Sequence, residues 1–119
     1  MDYTEIRSSV QKRMGRLGEG IPETMGGFQE LHEASVADGA LSTKTKELIA
    51  LAIGVTVRCD GCIAYHVKEA LDAGASREEI LETLGVTILM GGGPGVVYAS
   101  EAMEAAEQFM DEEGKQGHA

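Results

Sequence analysis

Positive charge is scarce in this 119-residue sequence: 10 lysines and arginines stand against 20 aspartates and glutamates, which gives a formal net charge of −10. The longest basic run is the pair Lys12–Arg13. Nucleic acids and anionic membrane surfaces attract proteins through clustered lysine and arginine. We therefore expect neither nucleic acid nor a membrane among the partners.

Long hydrophobic runs are also missing. The longest apolar run, from Leu48 to Val57, is about half of the roughly 20 residues that a membrane-spanning helix needs. The first residues, Met1 to Glu5, are polar and acidic, and no apolar stretch of the kind found in a secretory signal follows them. These absences predict a cytoplasmic protein.

Cysteine is limited to Cys59 and Cys62, which stand three positions apart. A bond between them would close almost no loop, and in the chain-entropy model the stabilisation by a disulfide grows with loop length. A disulfide scaffold is therefore excluded. In a reducing compartment, a pair at this spacing is typical of redox chemistry or metal binding.

No stretch has a convincing strand pattern, whereas apolar residues recur at three- and four-residue steps, which indicates helices. Ser42 is suited to cap a third helix, and Ser76–Glu79 forms a capping box for a fifth. Short breaks separate the helices: Gly18–Gly20, Asp38–Gly39, Arg58–Gly61, Gly74 and Gly91–Gly95. We predict an all-α fold, a compact bundle of about six helices. It forms a single domain over residues 1–119, with its core at about 20–110 and a frayed acidic tail at 111–119.

The third helix, from Ser42 to about Val57, is apolar nearly all round and is expected at the buried centre. The apolar side of two other helices is expected to face the core: Met25, Phe28, Leu31 and Val36 on the second, and Ile80, Leu81, Leu84, Ile88 and Leu89 on the fifth. The segment Gly91–Gly95 is not a phosphate loop, since no strand precedes it and no Lys-Ser/Thr follows. It predicts a tight corner where two helix backbones approach closely.

The residues suited to chemistry are Glu47, Cys59, Cys62 and His66. Cys62 and His66 are four positions apart and therefore lie on one face of the fourth helix. Both cysteines come at the start of that helix. There, unpaired N–H groups, the helix dipole and a nearby imidazolium favour a thiolate and lower the pKa of a cysteine from its usual value of about 8.5. A buried Glu47 carboxylate could orient His66 and pass protons.

Other interpretations of these residues stay open. They could form a zinc site with Glu47 as the fourth ligand, although structural zinc sites favour cysteine and histidine alone, or the cysteines could be purely structural. Haem attachment is excluded because Ile63, and not a histidine, follows Cys62. A thioredoxin-type site would need a βαβ unit, which the helical pattern excludes. The remaining histidines, His32 near the apolar side of the second helix and His118 in the tail, are interpreted as having no role in chemistry.

Glu47, eleven intervening residues and the segment Cys59–His66 (CDGCIAYH) resemble the signature of the carboxymuconolactone decarboxylase family. The resemblance is greater to the branch typified by alkyl hydroperoxidase D, and it covers roughly residues 20–105. It implies an all-helical subunit that assembles as a homotrimer or homohexamer. We assign no metal and no cofactor to the site.

Carried over by position, the resemblance implies that Cys62 is the peroxidatic cysteine and Cys59 the resolving one, with Glu47 and His66 as the proton relay. The sequence departs from the archetype at one point: the archetype has a further histidine just before its second cysteine, where this chain has Gly61. A general thiol–disulfide reductase therefore stays open beside a peroxidase.

These residues predict an oxidoreductase, either a thiol-dependent peroxidase or a disulfide reductase. Its substrate would be a hydroperoxide or a disulfide, and a dithiol such as a lipoyl group or a thioredoxin-like protein would reduce it again. One alternative is a lyase that decarboxylates a lactone acid, although the decarboxylases of the family do not depend on a cysteine pair. The other is a zinc- or redox-responsive oligomeric module without enzymatic activity.

Overall fold

A computed structural model describes residues 1–116 of the chain, which form helices and no strand. In chain order the helices are α1 (Tyr3–Gly20), α2 (Pro22–Val36), α3 (Thr43–Thr56), α4 (Asp60–Asp72) and α5 (Arg77–Gln116). The radius of gyration over the Cα atoms is 14.7 Å. The predicted all-α, compact fold is confirmed.

The last helix, α5, contains the predicted corner. At Gly92 the backbone leaves helical geometry, with φ 64° and ψ −143°, and Pro94 follows. A Cβ atom at Gly95 would lie only 3.0 Å from the carbonyl oxygen of Thr87, so a side chain at this position would collide with the backbone before the corner. The fifth and sixth helices of the sequence prediction are therefore the two parts of α5, on either side of Gly92.

The predicted helix starts at two serines are present. The hydroxyl oxygen of Ser42 accepts a hydrogen bond from the Thr45 N–H at 3.1 Å. Ser76 and Glu79 bond reciprocally: the Glu79 carboxylate accepts from the Ser76 N–H at 2.9 Å, and the Ser76 hydroxyl oxygen accepts from the Glu79 N–H at 3.1 Å. Each cap satisfies N–H groups that have no partner within the helix.

The acidic tail is helical as far as the structure describes it: the backbone of α5 continues to Gln116. The fraying expected from Asp111 stays a prediction. Charged residues on a solvent-facing helix surface need no core contact, so the absence of apolar residues does not end the helix. The remaining residues, 117–119 with His118 among them, lie outside the part of the chain that the structure describes.

The core lies between α3, α4 and α5, and its largest fully buried apolar side chains are Tyr3, Leu51, Ile63, Ile80, Val55 and Val67. Tyr3 ties the start of α1 to α5. Its hydroxyl donates to the Glu101 carboxylate at 2.9 Å, and its backbone N–H donates to the Gln108 side-chain oxygen at 2.7 Å. Burial raises the pKa of Tyr3, so the hydroxyl keeps its proton and remains a donor.

Several apolar side chains that we expected in the core are exposed in the single chain. On α3, one face packs on α4 and α5, but the face with Ile49 and Ile53, which continues to the C-cap residue Val57, is open, so the prediction of a helix buried all round is wrong. No residue of α2 is buried. On α5, only Ile80 and Leu84 of the predicted set are buried, whereas the others of that set are exposed or half-exposed: Leu81, Ile88 and Leu89. A bundle of this size has too few helices to cover these faces.

The segment Arg77–Lys115 is long and apolar enough to cross a membrane by length and composition, contrary to the sequence expectation that no stretch qualifies. The sequence count missed it because glycines and a proline interrupt the apolar residues. The break at Gly92 lies within this segment.

Candidate active site

The turn between α3 and α4 fixes the position of the first cysteine. Two hydrogen bonds close the end of α3: the Arg58 N–H donates to the Val55 carbonyl at 3.2 Å, and the Cys59 N–H donates to the Gly54 carbonyl at 3.1 Å. This is the Schellman pattern, in which the residue after the last helical turn adopts a left-handed conformation. Arg58 does so, with φ 59°. Cys59 is thereby held directly at the end of α3.

Gly54 brings α3 and α4 together beside the second cysteine. A Cβ atom at Gly54 would lie 3.2 Å from the Cβ atom of Cys62 and 3.7 Å from the backbone nitrogen of Ile63. Gly54 is itself buried, so there is no free space into which a side chain could turn. The missing side chain lets the start of α4 pack against α3 at this point.

Cys59 and Cys62 are joined by a disulfide at the start of α4. Cys59 is the N-cap residue of that helix, and its sulfur accepts a hydrogen bond from the Cys62 N–H at 3.1 Å. Both residues are half-buried. The structure therefore represents the oxidised form of the pair, with its sulfurs among the N–H groups of a helix N-terminus.

Glu47 and His66 form a hydrogen-bonded pair between α3 and α4. The Glu47 carboxylate lies 2.9 Å from Nδ1 of His66, and its side chain is only 2% exposed, against 21% for His66. With Glu47 ionised, its carboxylate only accepts hydrogen bonds, so Nδ1 of His66 donates to it and Nε2 is the nitrogen left for other partners. His66 is on α4, four positions after Cys62, which places the imidazole on the face that carries this cysteine.

A cavity of about 350 Å³ opens beside the disulfide. Side chains of α1, α2 and α4 line it: Val10, Met14, Met25, Phe28, Gln29, His32, Cys59, Gly61, Cys62, Tyr65 and His66. The α1 and α2 walls are mainly apolar, while the α4 wall carries the cysteines and His66. A small molecule in this cavity would contact the disulfide and His66 together.

Tyr65 stands between two imidazoles on the cavity wall. Its ring centroid lies 5.2 Å from that of His66 and 6.1 Å from that of His32, and both contacts are edge-to-face. The guanidinium carbon of Arg7 lies 5.6 Å from the Tyr65 ring centroid, and Arg7 also binds the Glu69 carboxylate at 3.2 Å. Burial raises the pKa of Tyr65. These contacts hold the ring in place.

The four residues singled out from the sequence are thus near one another, and the cavity adds residues that sequence reasoning did not assign. His32, interpreted as structural, lines the cavity, and its Nε2 is buried without a hydrogen-bond partner among the described residues. Val10 and Met14 reach it from α1. No spacing rule links these positions to the cysteines; the four-residue spacing of Val10 and Met14 indicates only that they share one face of a helix.

Gly61, the departure from the archetype, has a structural counterpart. A Cβ atom at Gly61 would lie 3.1 Å from a methyl carbon of Val10. This distance is shorter than ordinary van der Waals contact. A side chain at position 61 would therefore require Val10 to move by a few tenths of an ångström.

Metal binding has little geometric support among residues 1–116, which contain no group of three or more His, Cys, Asp or Glu side chains arranged to hold an ion. In the oxidised form the two sulfurs are bonded to each other. Zinc binds cysteine as the thiolate. A zinc site would therefore require reduction and a rearrangement of the four residues.

A sequence profile of the carboxymuconolactone decarboxylase family matches residues 22–105, which include α2 to α4 and most of α5. The chain belongs to the carboxymuconolactone decarboxylase family. Among its relatives, a protein of Cupriavidus necator is 42% identical over 96 residues, covering 81% of this chain and 85% of the relative. A protein of Haemophilus influenzae is 40% identical over 104 residues, covering 87% and 92%.

Solved structures of the family have the same fold. A carboxymuconolactone decarboxylase family protein from Legionella pneumophila is similar with a TM-score of 0.88 and 45% identity, over 90% of this chain and 96% of that one. A family protein from Thermotoga maritima gives a TM-score of 0.71 and 34% identity, over 77% and 95%. The resemblance inferred from the Glu47 and Cys59–His66 pattern is thereby confirmed at the level of the family. Helix α1, with Val10 and Met14, lies outside the span that the family profile matches.

Proposed function

We propose that this protein is a thiol-dependent peroxidase or disulfide reductase of the alkyl hydroperoxidase D type. The observation that carries the proposal is the Cys59–Cys62 disulfide at a helix N-terminus, beside a cavity that also receives His66, itself bonded to a buried Glu47. Family membership supports a site of this kind, and the Thermotoga maritima relative has been suggested to act in an antioxidative response.

In the proposed reaction, reduced Cys62 is the nucleophile. His66 takes the thiol proton, and the Cys62 sulfur attacks the terminal oxygen of the hydroperoxide, so an S–O bond forms as the O–O bond breaks. The leaving alkoxide receives the proton from His66 and departs as the alcohol. The sulfur is oxidised to sulfenic acid and the peroxide is reduced. Glu47 holds the imidazole in orientation through Nδ1 and stabilises its positive charge.

The second half of the proposed cycle uses Cys59. Its thiol attacks the sulfenic sulfur of Cys62, the S–S bond forms and water leaves, which gives the disulfide present in the structure. A dithiol then reduces this bond by exchange, and is itself oxidised to a disulfide. We propose a lipoyl group or a thioredoxin-like protein as that dithiol. As a disulfide reductase, the protein would use the same exchange with a disulfide substrate in place of the hydroperoxide.

The surroundings of the site complete the proposal. We infer a homo-oligomer, because the exposed apolar faces of α3 and α5 favour association with further copies of the chain. The resemblance to the alkyl hydroperoxidase D branch implies a homotrimer or homohexamer, and we propose the cytoplasm as its location. The acidic net charge of −10 argues against nucleic acid and anionic membranes as partners. The proposed reaction uses only protein side chains, the hydroperoxide or disulfide substrate and the dithiol.

The test is a count of free thiols in the native, reduced protein before and after one equivalent of hydroperoxide. We expect both thiols to disappear together and a dithiol to restore both. Survival of both thiols would contradict the proposal. The lyase reaction would then be tested directly, by measuring carbon dioxide release from a lactone acid. A lyase should still release carbon dioxide after both thiols are alkylated.

A further inference from the structure

His32 differs from His66 in having no partner. Nδ1 of His66 is fixed by Glu47 at 2.9 Å, whereas Nε2 of His32 is buried and has no hydrogen-bond partner among the described residues. A buried polar atom without a partner is uncommon in folded proteins and is unfavourable, so the His32 ring gains from an orientation in which a nitrogen meets a hydrogen-bonding group.

The neighbours of His32 do not supply that group. Gln29, one turn earlier on α2, also lines the cavity, but its amide nitrogen donates to Glu33 at 3.1 Å. Tyr65 contacts the His32 ring edge-to-face, a packing contact with a centroid separation of 6.1 Å. The other α1 and α2 side chains on the cavity wall near His32 are apolar: Val10, Met14, Met25 and Phe28.

We propose that the His32 imidazole is a substrate-positioning residue, which hydrogen-bonds the polar oxygen of a molecule whose apolar part occupies the cavity beside Cys59 and Cys62. This inference deepens the proposed function and rests on it for the identity of the reacting sulfur. The imidazole can turn about its Cβ–Cγ bond, which exchanges the positions of ring nitrogen and carbon atoms while the ring stays on the cavity wall. This turn breaks no hydrogen bond of Nε2, because Nε2 has none among the described residues. The apolar wall offers such an oxygen few other partners on the α2 side.

The test uses the disulfide form and two unreactive probes, benzyl alcohol and toluene, which share a phenyl ring and differ by one hydroxyl group. Dissociation constants are measured by NMR titration for wild type and for His32→Phe, which keeps a ring of similar size without hydrogen-bonding atoms. His32→Gln is the conservative variant, and Leu31→Phe is the matched control. Leu31 immediately precedes His32 on α2, is 65% exposed and does not line the cavity.

The preference is the dissociation constant of toluene divided by that of benzyl alcohol. We expect this ratio to be about fivefold larger for wild type than for His32→Phe, the factor that one net hydrogen bond supplies. His32→Gln should keep part of this preference, Leu31→Phe should keep all of it, and benzyl alcohol should shift the imidazole resonances of His32. An equal preference in wild type and His32→Phe, or no binding of either probe to wild type, would overturn the proposal. Because the probes do not react with thiols, this result is independent of the thiol count that tests the proposed function.

Discussion

Cys59 and Cys62 share one disulfide but occupy different positions on α4. Cys59 is the N-cap residue, and its N–H is bonded to the Gly54 carbonyl of α3. Cys62 lies inside the first turn of the helix, on the face that carries His66 four positions later. This asymmetry favours Cys62 as the sulfur whose thiol proton is taken by His66, and Cys59 as the sulfur that closes the disulfide.

We therefore expect Cys62→Ser to abolish hydroperoxide turnover, because the nucleophile is lost. Cys59→Ser should still be oxidised once per subunit and then stop at a sulfenic acid that excess peroxide oxidises further. Peroxide consumption in the presence of a dithiol measures turnover, and intact mass spectrometry detects the added oxygen atoms. Equal residual turnover in the two single variants would exclude this division of roles.

Residues related by spacing within one helix could be predicted from the sequence, and residues related only through packing could not. The four-residue spacing places His66 beside Cys62 whatever the fold around them. The contact between Glu47 and His66 depends on how α3 packs on α4, which the sequence suggested only through a carboxylate at the edge of an apolar run. His32 comes from a different helix, and only the packing of α2 over the start of α4 brings it to the cavity.

The ends of α3 and α4 use the same motif with different residues in the left-handed position. At the end of α4, the Gly74 N–H donates to the Leu71 carbonyl at 3.0 Å and the Ala75 N–H donates to the Ala70 carbonyl at 2.9 Å. Gly74 has φ 98°. Arg58 has the equivalent place after α3, at φ 59°. A left-handed conformation is unfavourable for a residue with a side chain and nearly neutral for glycine.

This pair gives an internally matched prediction. Arg58→Gly should raise the free energy of unfolding by about 0.5–1 kcal/mol, since relief of the left-handed strain exceeds the added entropy of glycine in the unfolded chain. Gly74→Ala should lower it by about 1 kcal/mol for the opposite reason. Urea unfolding of the reduced protein measures both. A loss of stability in Arg58→Gly would mean that contacts of the arginine side chain contribute more to stability than the strain of its backbone removes.

The cap at the start of α5 should make stability depend on pH. The Lys44 ammonium, 2.8 Å from the Glu79 carboxylate, and the Ser76 N–H lower the pKa of Glu79. Because the pKa is lower in the folded protein, the ionised carboxylate contributes stability above its unfolded pKa of about 4.3. This contribution is lost as the pH falls through the folded pKa.

Glu79→Gln should therefore be less stable than wild type at pH 7, and the difference should shrink as the pH falls below about 4. Urea unfolding at both pH values measures this change. Ser76→Ala removes the other half of the cap and should lose about 1 kcal/mol at either pH, because a hydroxyl does not titrate in this range. A pH-independent difference for Glu79→Gln would show that its charge is unimportant here.

Helix boundaries were predictable wherever one residue sets them locally, as at Ser42, Ser76 and Gly74. The burial of each helix could not be predicted in this way, because it depends on which neighbouring helices are present. The face of α3 with Ile49, Ile53 and Val57 has the hydrophobicity of a core helix, yet it is open in the single chain. The same sequence pattern is compatible with a helix face buried in the core of one chain and with a helix face buried in a contact between chains.

At the scale of the whole molecule, these open faces and the net charge act in opposite directions. Association of copies would cover apolar side chains of α3 and α5 that are now exposed, among them Ile53 at 58% and Leu89 at 80%. Each copy brings a charge of −10, so the copies also repel one another. We expect association to strengthen as salt is raised, since exposed charges are screened over about 8 Å at physiological ionic strength.

Ile53→Glu should shift the protein towards smaller species in sedimentation velocity, because it places a charge on the proposed contact, while the fold of the subunit should be retained. Gln11→Glu adds the same charge at an exposed polar position of α1 and is the control. An unchanged sedimentation coefficient for Ile53→Glu would exclude this face of α3 from the contact. A monomeric wild type would contradict the proposed homo-oligomer.

The disulfide lies within the first turn of α4 and does not link one helix to another. This has a practical consequence for detecting the redox state of the protein in cells. Oxidation changes neither the length of the denatured chain nor its shape enough to alter migration in a non-reducing gel. The two forms differ by a pair of hydrogen atoms. A maleimide-linked polymer tag, added after rapid acid quenching, would make the reduced fraction visible as a band of larger mass.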